Sequence, residues 1–440
     1  MADRMLPLFA DLRLDSSSPR RNYSPVSKER LPTNTTTYRH PVHRWFNFIA
    51  GFSPEFMQIC LDQLDGKLPR VLLDPFAGCA TALVSACQYG LEAVGCEPHP
   101  ILTKIGRAKL PGPDTAKRLW QIEVAIAAGL DRPQSLELLS KSPQKFLSSL
   151  FSRPILESLL GARESLRQRD LFDNDLAFLV LSKVVDKSSH SQTDGIYKAP
   201  ASRKVAIDPL KALRQIVTAI REDLDEVRGI PFDKLARIIE KSSERIPEVA
   251  DGSVGIVVTS PPYLNNFDFA EMTRMFLYFW GIANSWGEIT DKVRAKLVVN
   301  TTTALKGHKE KQDQYRIEIP SRVQEHLSDL VSQLAVQRRI RAGKKEYDFL
   351  VYPYFAQITA VLRECYRCMA NGAAFHMMVA DAALYGIHIS APQFIRDILE
   401  EIGFRNVTCS LVRTRGYRWI LEKRDGSKQG LGEYHIAAIK

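Results

Sequence analysis

Two short stretches of the chain carry residue types that can do chemistry. The first is Thr259-Ser260-Pro261-Pro262-Tyr263, which ends the apolar run Val254-Gly255-Ile256-Val257-Val258. Such a run reads as a buried strand. It delivers a polar residue, two prolines and an aromatic ring to a carboxyl edge, where open α/β sheets bind ligands. Successive prolines fix φ and donate no N–H, so the loop is stiff and its carbonyls stay free to accept. Rigid acceptors beside an exposed ring suit a planar base carrying an amino group. The lone pair of such an amine is conjugated with the ring. Hydrogen bonds from NH2 to Ser260 Oγ and the Pro261 carbonyl favour pyramidal nitrogen and raise its electron density.

The second stretch is Asp74-Pro75-Phe76-Ala77-Gly78-Cys79-Ala80-Thr81, between the apolar Val71-Leu72-Leu73 and a helical pattern from Ala82 to Gly90. Gly78 permits a tight turn and close approach of the backbone to a ligand. The helix that follows offers free N–H groups at its start. No Gly-Lys-Ser/Thr is present, so this is not a triphosphate-binding loop. Glu97 ends the next strand, Ala93-Val94-Gly95-Cys96. An acid in that place can accept both hydroxyls of a ribose in charge-assisted bonds.

Together these stretches resemble the Asp-Pro-Phe-x-Gly-x-Gly-Thr and Ser-Pro-Pro-Tyr signatures of the DNA amino-methyltransferases, which act on cytosine N4 or adenine N6. The resemblance implies S-adenosylmethionine as cofactor. Asp74, Phe76 and Gly78 would lie near its methionine half, with Ala77 and Thr81 in the same cradle, Glu97 on its ribose and Pro98 beside its adenine. The family often places an acid after the third strand to bind the adenine amine. This chain has Lys241-Ser242-Ser243 there, and Ser242 is the candidate acceptor. Ala80 stands where the family usually has glycine. Ser260, Pro261, Pro262 and Tyr263 would be the catalytic set, with Tyr263 stacked on a base flipped out of duplex DNA. Serine at the first position leans toward cytosine N4. Adenine N6, an RNA base amine, and a non-catalytic DNA-binding relative are the alternatives. No metal is expected. A cognate restriction endonuclease, in a prokaryotic restriction-modification or related defence system, is the partner the resemblance suggests. That places the protein in the cytoplasm, near the nucleoid.

The elements that must position these residues follow from the hydrophobic pattern. The fold class is α/β, and the resemblance implies the Rossmann-like seven-stranded sheet of class I S-adenosylmethionine-dependent methyltransferases. Residues 39–102 and 231–440 form the catalytic domain. Ala236-Arg237-Ile238-Ile239 is the third strand and Ala373 to Ala380 the fifth. Val407 to Arg415 and Tyr434 to Lys440 form a terminal antiparallel pair. Residues 43–64 read as two helical pieces, the second capped by Ser53 with Pro54 and Glu55 in its first turn. In the family, the segment around His43-Arg44-Trp45-Phe46-Asn47 covers the methionine end of the cofactor. Residues 103–230 read as an all-helical insertion, a candidate for target recognition. Residues 264–347 are a second excursion and a candidate DNA contact. Residues 1–38, rich in Ser, Pro, Arg and Thr, read as a flexible arm.

The 440 residues carry a formal charge of +10, which is compatible with a polyanionic partner. Asn265 and Asn266 follow the catalytic stretch. Arg338, Arg339, Arg341, Lys344 and Lys345 form a basic cluster, and Arg413, Arg415, Arg418, Lys423 and Arg424 another. Each is a candidate for phosphate neutralisation. Asp381, after the fifth strand, is a candidate neighbour of the catalytic loop. The seven cysteines are scattered and read as reduced thiols. No signal peptide and no membrane-spanning run is expected.

Overall fold

The computed structural model describes residues 34–47, 51–62, 66, 68–193, 198–341, 345–414 and 431–440. Seven apolar stretches form one sheet: β1 (Val71–Asp74), β2 (Glu92–Cys96), β3 (Ala236–Ile239), β4 (Val254–Thr259), β5 (Met369–Ala380), β6 (Arg405–Thr414) and β7 (Gly432–Ile439). Their spatial order is β6-β7-β5-β4-β1-β2-β3. The first five strands are parallel, and β7 lies antiparallel between β5 and β6. The chain builds outward from β1 through β2 and β3, then restarts at β4 on the other side of β1. The carboxyl ends of β1 and β4 therefore flank the switch point, where a ligand crevice is expected in such sheets. All six residues of β4 are buried, as a central strand covered on both faces requires.

The seven-stranded class I sheet expected from the sequence is thus present. β5 begins at Met369, four residues earlier than its apolar pattern indicated, because Met369 pairs with Val254 of β4 ahead of a register shift. Helix α1 (Pro54–Leu61) starts as expected, with Ser53 Oγ accepting the Phe56 N–H at 3.1 Å. The piece before it is a single 3-10 turn, His43–Trp45, rather than a helix. Tertiary bonds dictate that turn. The buried Asp223 carboxylate accepts Val42 N–H at 2.8 Å and Trp45 Nε1–H at 2.8 Å, and also pairs with Arg44.

Helices α2 (Thr81–Gln88) and α3 (Pro100–Ala108) follow β1 and β2. The insertion continues with α4 (Thr115–Leu130), α5 (Lys141–Ser148), α6 (Arg153–Gln168), α7 (Asp175–Ser188) and α8 (Pro209–Glu226). It is not all helical. Its polar stretch pairs Ser191–Thr193 with Lys198–Arg203 as an antiparallel ribbon. A polar two-stranded ribbon has no apolar alternation to reveal it. One apolar cluster joins Leu72 of β1 and Leu83 of α2 to Ile122, Leu159 and Leu179 of the insertion, so sheet and insertion share a core. On the other face, α9 (Ser321–Ile340), α10 (Val351–Cys368) and α11 (Ala391–Ile402) pack over Leu73, Val257 and Phe375. Gly403, at φ 115°, closes α11 as its position indicated. Among the described residues, no helix is long and apolar enough to cross a membrane.

Candidate active site at the carboxyl edge of the sheet

The tips of β1 and β2 form a cradle of backbone turns around two carboxylates. Asp74 Oδ1 accepts the Phe76 N–H at 3.0 Å and the Thr259 hydroxyl at 2.7 Å. Glu97 accepts the Gly78 N–H at 2.9 Å on one oxygen and the His99 N–H at 2.8 Å on the other. Ala77 N–H bonds the Cys96 carbonyl at 3.0 Å. Gly78, at φ 51°, has nothing closer than 3.9 Å to an added Cβ. The loop therefore presents open backbone there. Thr81 opens α2, and Pro98 follows Glu97, half-buried.

Ala80 also occupies the left-handed region, at φ 64°. A side-chain residue pays about 1–2 kcal/mol for this. Its methyl is fully buried and packs toward α3, where a Cβ on Gly106 would lie 3.5 Å from it and 2.5 Å from Ile238 Cδ1.

Burial pushes both carboxyls up to about 7, against the hydrogen bonds that favour their charged forms. A cation bound beside them favours ionisation. Each Glu97 oxygen has one backbone donor and keeps capacity for a second. The set can therefore hold a cationic, ribose-bearing cofactor. Ser242 lies past the end of β3, where its hydroxyl bonds the Glu244 carboxylate at 3.1 Å. It is engaged within its own turn. Glu240 is turned outward to Arg107.

The His43–Trp45 turn is strapped down by residues that sequence reasoning missed. Besides Asp223, Lys183 Nζ donates to the Trp45 carbonyl at 2.7 Å and Lys109 Nζ to the Phe46 carbonyl at 3.3 Å. Burial lowers both lysines to about 8. His99, buried beside Glu97, accepts the Ile101 N–H and meets Thr273 Oγ1 at 2.9 Å.

At the tip of β4 the loop is stiff, as two prolines require, but it is held by distant partners. Tyr354 Oη donates to the Pro262 carbonyl at 3.1 Å. Asn300 Nδ2 donates to the carbonyls of Tyr263 at 3.2 Å and Phe267 at 2.8 Å, and its own carbonyl takes the Asn265 N–H. Tyr263 is half-buried rather than freely exposed. Its hydroxyl donates to Glu433 Oε1 at 2.8 Å and lies 3.4 Å from Ser260 Oγ. Glu433, on β7, is itself buried and paired with Arg413. Among the described residues, no donor is bonded to the Pro261 carbonyl. Asn265 sits at φ 51°, and Asn266 N–H returns to the Tyr263 carbonyl. Asp381 holds the Gly432 N–H, next to Glu433, at 3.2 Å.

The basic cluster is divided by the structure. Arg338 pairs with the buried Asp348 at 2.9 Å and covers the Phe349 ring, so it is a cation of the fold. Arg339 is exposed; Arg341 is exposed and lies over Tyr385. The Lys345 backbone is bonded to Tyr385 Oη. Lys344, like Arg415, Arg418, Lys423 and Arg424, lies outside the described residues. Arg413 is taken by Glu433.

No family model matches the chain. It is 22% identical over 450 residues to the Type II methyltransferase M.BsoBI of Geobacillus stearothermophilus, across 91% of this chain and 84% of that protein. It is 24% identical over 420 residues to the Type II methyltransferase M.AvaI of Nostoc sp. and of Anabaena variabilis, across 86% of this chain and 81% of each relative.

Proposed function

We propose that this chain, which belongs to the DNA methyltransferase family, methylates the exocyclic N4 of cytosine at a defined site in duplex DNA, with S-adenosylmethionine as donor. The observation that carries this reading is the bond from Thr259 to Asp74. It ties the residue just before Ser260 to the first residue of the cradle, so the tips of β1 and β4 are held side by side.

When bound, the donor supplies a methyl group already made electrophilic by its sulfonium sulfur. Asp74 sets a carboxylate beside that positive charge, and Glu97 accepts the ribose hydroxyls. Ser260 Oγ and the Pro261 carbonyl accept hydrogen bonds from the target amine and turn its lone pair outward. The Tyr263 ring stacks on the flipped base, and Glu433 fixes the angle of that ring through its hydroxyl. In-line positioning of this kind supplies much of the rate in methyl transfer. The insertion at 103–230 and the excursion at 264–347 read the target, and Arg339 and Arg341 neutralise phosphate. Such an enzyme serves a restriction-modification or related defence system, paired with an endonuclease, near the nucleoid of a prokaryotic cell.

Nucleoside mass spectrometry of DNA from cells expressing the protein tests this. N4-methylcytosine, absent from control cells, is the expected product. N6-methyladenine would overturn the base assignment and keep the reaction. Methylation of RNA alone, or of neither nucleic acid, would overturn the function.

A further inference from the structure

Three residues from separate parts of the chain meet on the face of the sheet that α1 covers. They are Cys60 near the end of α1, His376 on β5 and His435 on β7. All three are buried, at 0%, 2% and 6% exposure. His376 Nδ1 and His435 Nε2 are 3.2 Å apart, and one ligand atom from each residue lies within 4.8 Å of the other two. Two neutral imidazoles sharing a proton would account for the 3.2 Å contact. They do not explain a thiol converging on the same point.

Metal geometry accounts for the spacing. Two imidazole nitrogens about 2.0–2.1 Å from a tetrahedral zinc ion stand roughly 3.3 Å apart. Thiolate with imidazole selects zinc-like cations over magnesium or calcium, which take oxygen ligands. We propose that Cys60, His376 and His435 bind one thiophilic divalent cation of the zinc type, with a non-protein ligand in the fourth position.

Burial prepares the cluster for such an ion. It lowers His376 to about 4 and His435 well below its usual value, so both rings are neutral ligands. It also raises the Cys60 thiol, so the anion is stable there only beside a cation. On binding, the S–H bond breaks, the S–metal bond forms and the proton leaves to solvent. The ion would cross-link α1 to β5 and β7. His376 is the register partner of Val258, next to Thr259, so the ion braces the catalytic strand from one side. The inference does not depend on the methyl-transfer reading.

The test uses the full chain, stripped with a chelator, shown by circular dichroism to keep its fold, and titrated with Co2+ alone. One cobalt per chain is expected, with the intense visible bands of tetrahedral cobalt, a thiolate charge-transfer band, displacement by Zn2+ and a raised Tm. In Cys60→Ser the charge-transfer band should vanish and the affinity fall by more than roughly 100-fold, beyond the loss of an outer-shell partner. X-ray absorption of the zinc-loaded wild type, which needs no variant, should count one sulfur and two nitrogens from the protein. No saturable uptake, a six-coordinate spectrum without the thiolate band, or a wild-type spectrum in Cys60→Ser would each refute the site.

Discussion

At the tips of β1 and β2 the backbone bonds that shape the cradle close over short stretches of chain, 2 residues from Asp74 to Phe76 and 19 from Gly78 to Glu97, and the Thr259 hydroxyl on Asp74 is the long-range tie to β4. At the tip of β4 the partners are remote. Tyr354 lies 92 residues from Pro262, and Glu433 lies 170 from Tyr263. The turns of the proposed cofactor side are therefore shaped mainly by the pairing of two neighbouring strands. The catalytic side waits for the last strand of the sheet. Damage to β7 should then reach the chemistry while leaving the cradle intact.

The largest effect that would sharpen this contrast is at Tyr263. Tyr263→Ala is expected to remove detectable transfer, a fall of roughly 100-fold or more through lost positioning, while donor affinity measured by calorimetry stays near wild type. Equal loss of both would show that the two sides are not separable. Glu97→Ala is expected to do the reverse. Loss of charge-assisted hydrogen bonds weakens donor binding by roughly 10- to 100-fold, and saturating donor restores most of the transfer rate. Unchanged affinity would remove Glu97 from the ribose site.

A smaller effect is expected at Glu433. Glu433→Ala should lower kcat by about 10-fold with little change in donor KM, because the base stack loses orientation rather than contact. Glu433→Gln, which still accepts the Tyr263 hydroxyl, should recover most of that. A loss that appears in donor KM instead, or no rescue by glutamine, would break the division between the two sides.

The smallest effect is on the pH dependence of stability. Glu97 is raised to about 7 by burial. Its contribution is complete below its unfolded pKa, about 4.3, and is lost as pH rises through about 7. Buried His43, His99, His376 and His435, all lowered, act in the opposite sense below about 6.5. The Glu97 term is therefore read as a difference. Wild type should lose a few degrees of Tm relative to Glu97→Gln between about pH 5 and pH 8. Parallel curves would contradict the assigned burial.

The same contrast explains what could be read from the sequence. The strand-tip placement of Asp74, Gly78, Glu97 and the Ser260–Tyr263 loop was legible because strand, turn and acid follow one another along the chain. The sheet was legible for the same reason, down to its terminal antiparallel pair. Asn300, Tyr354, Glu433 and Asp223 were not, since each looks ordinary until folding brings its partner from far away. The polar ribbon at Ser191–Thr193 and Lys198–Arg203 lacks the apolar alternation that marks strands. Arg338 looked like a phosphate ligand because Asp348, ten residues on, meets it only once the Tyr347–Phe349 segment packs against α9. Cys60, His376 and His435 form no spacing motif at all, and only the sheet register brings the two histidines together.

One structure tests the central claim most directly: the full chain crystallised with S-adenosylhomocysteine and a duplex containing its target site. The account predicts the ribose on Glu97 and the flipped base against Tyr263, with the target amine within hydrogen-bond distance of Ser260 Oγ. A cofactor bound away from the tips of β1 and β2, or a base seated elsewhere than the tip of β4, would contradict it.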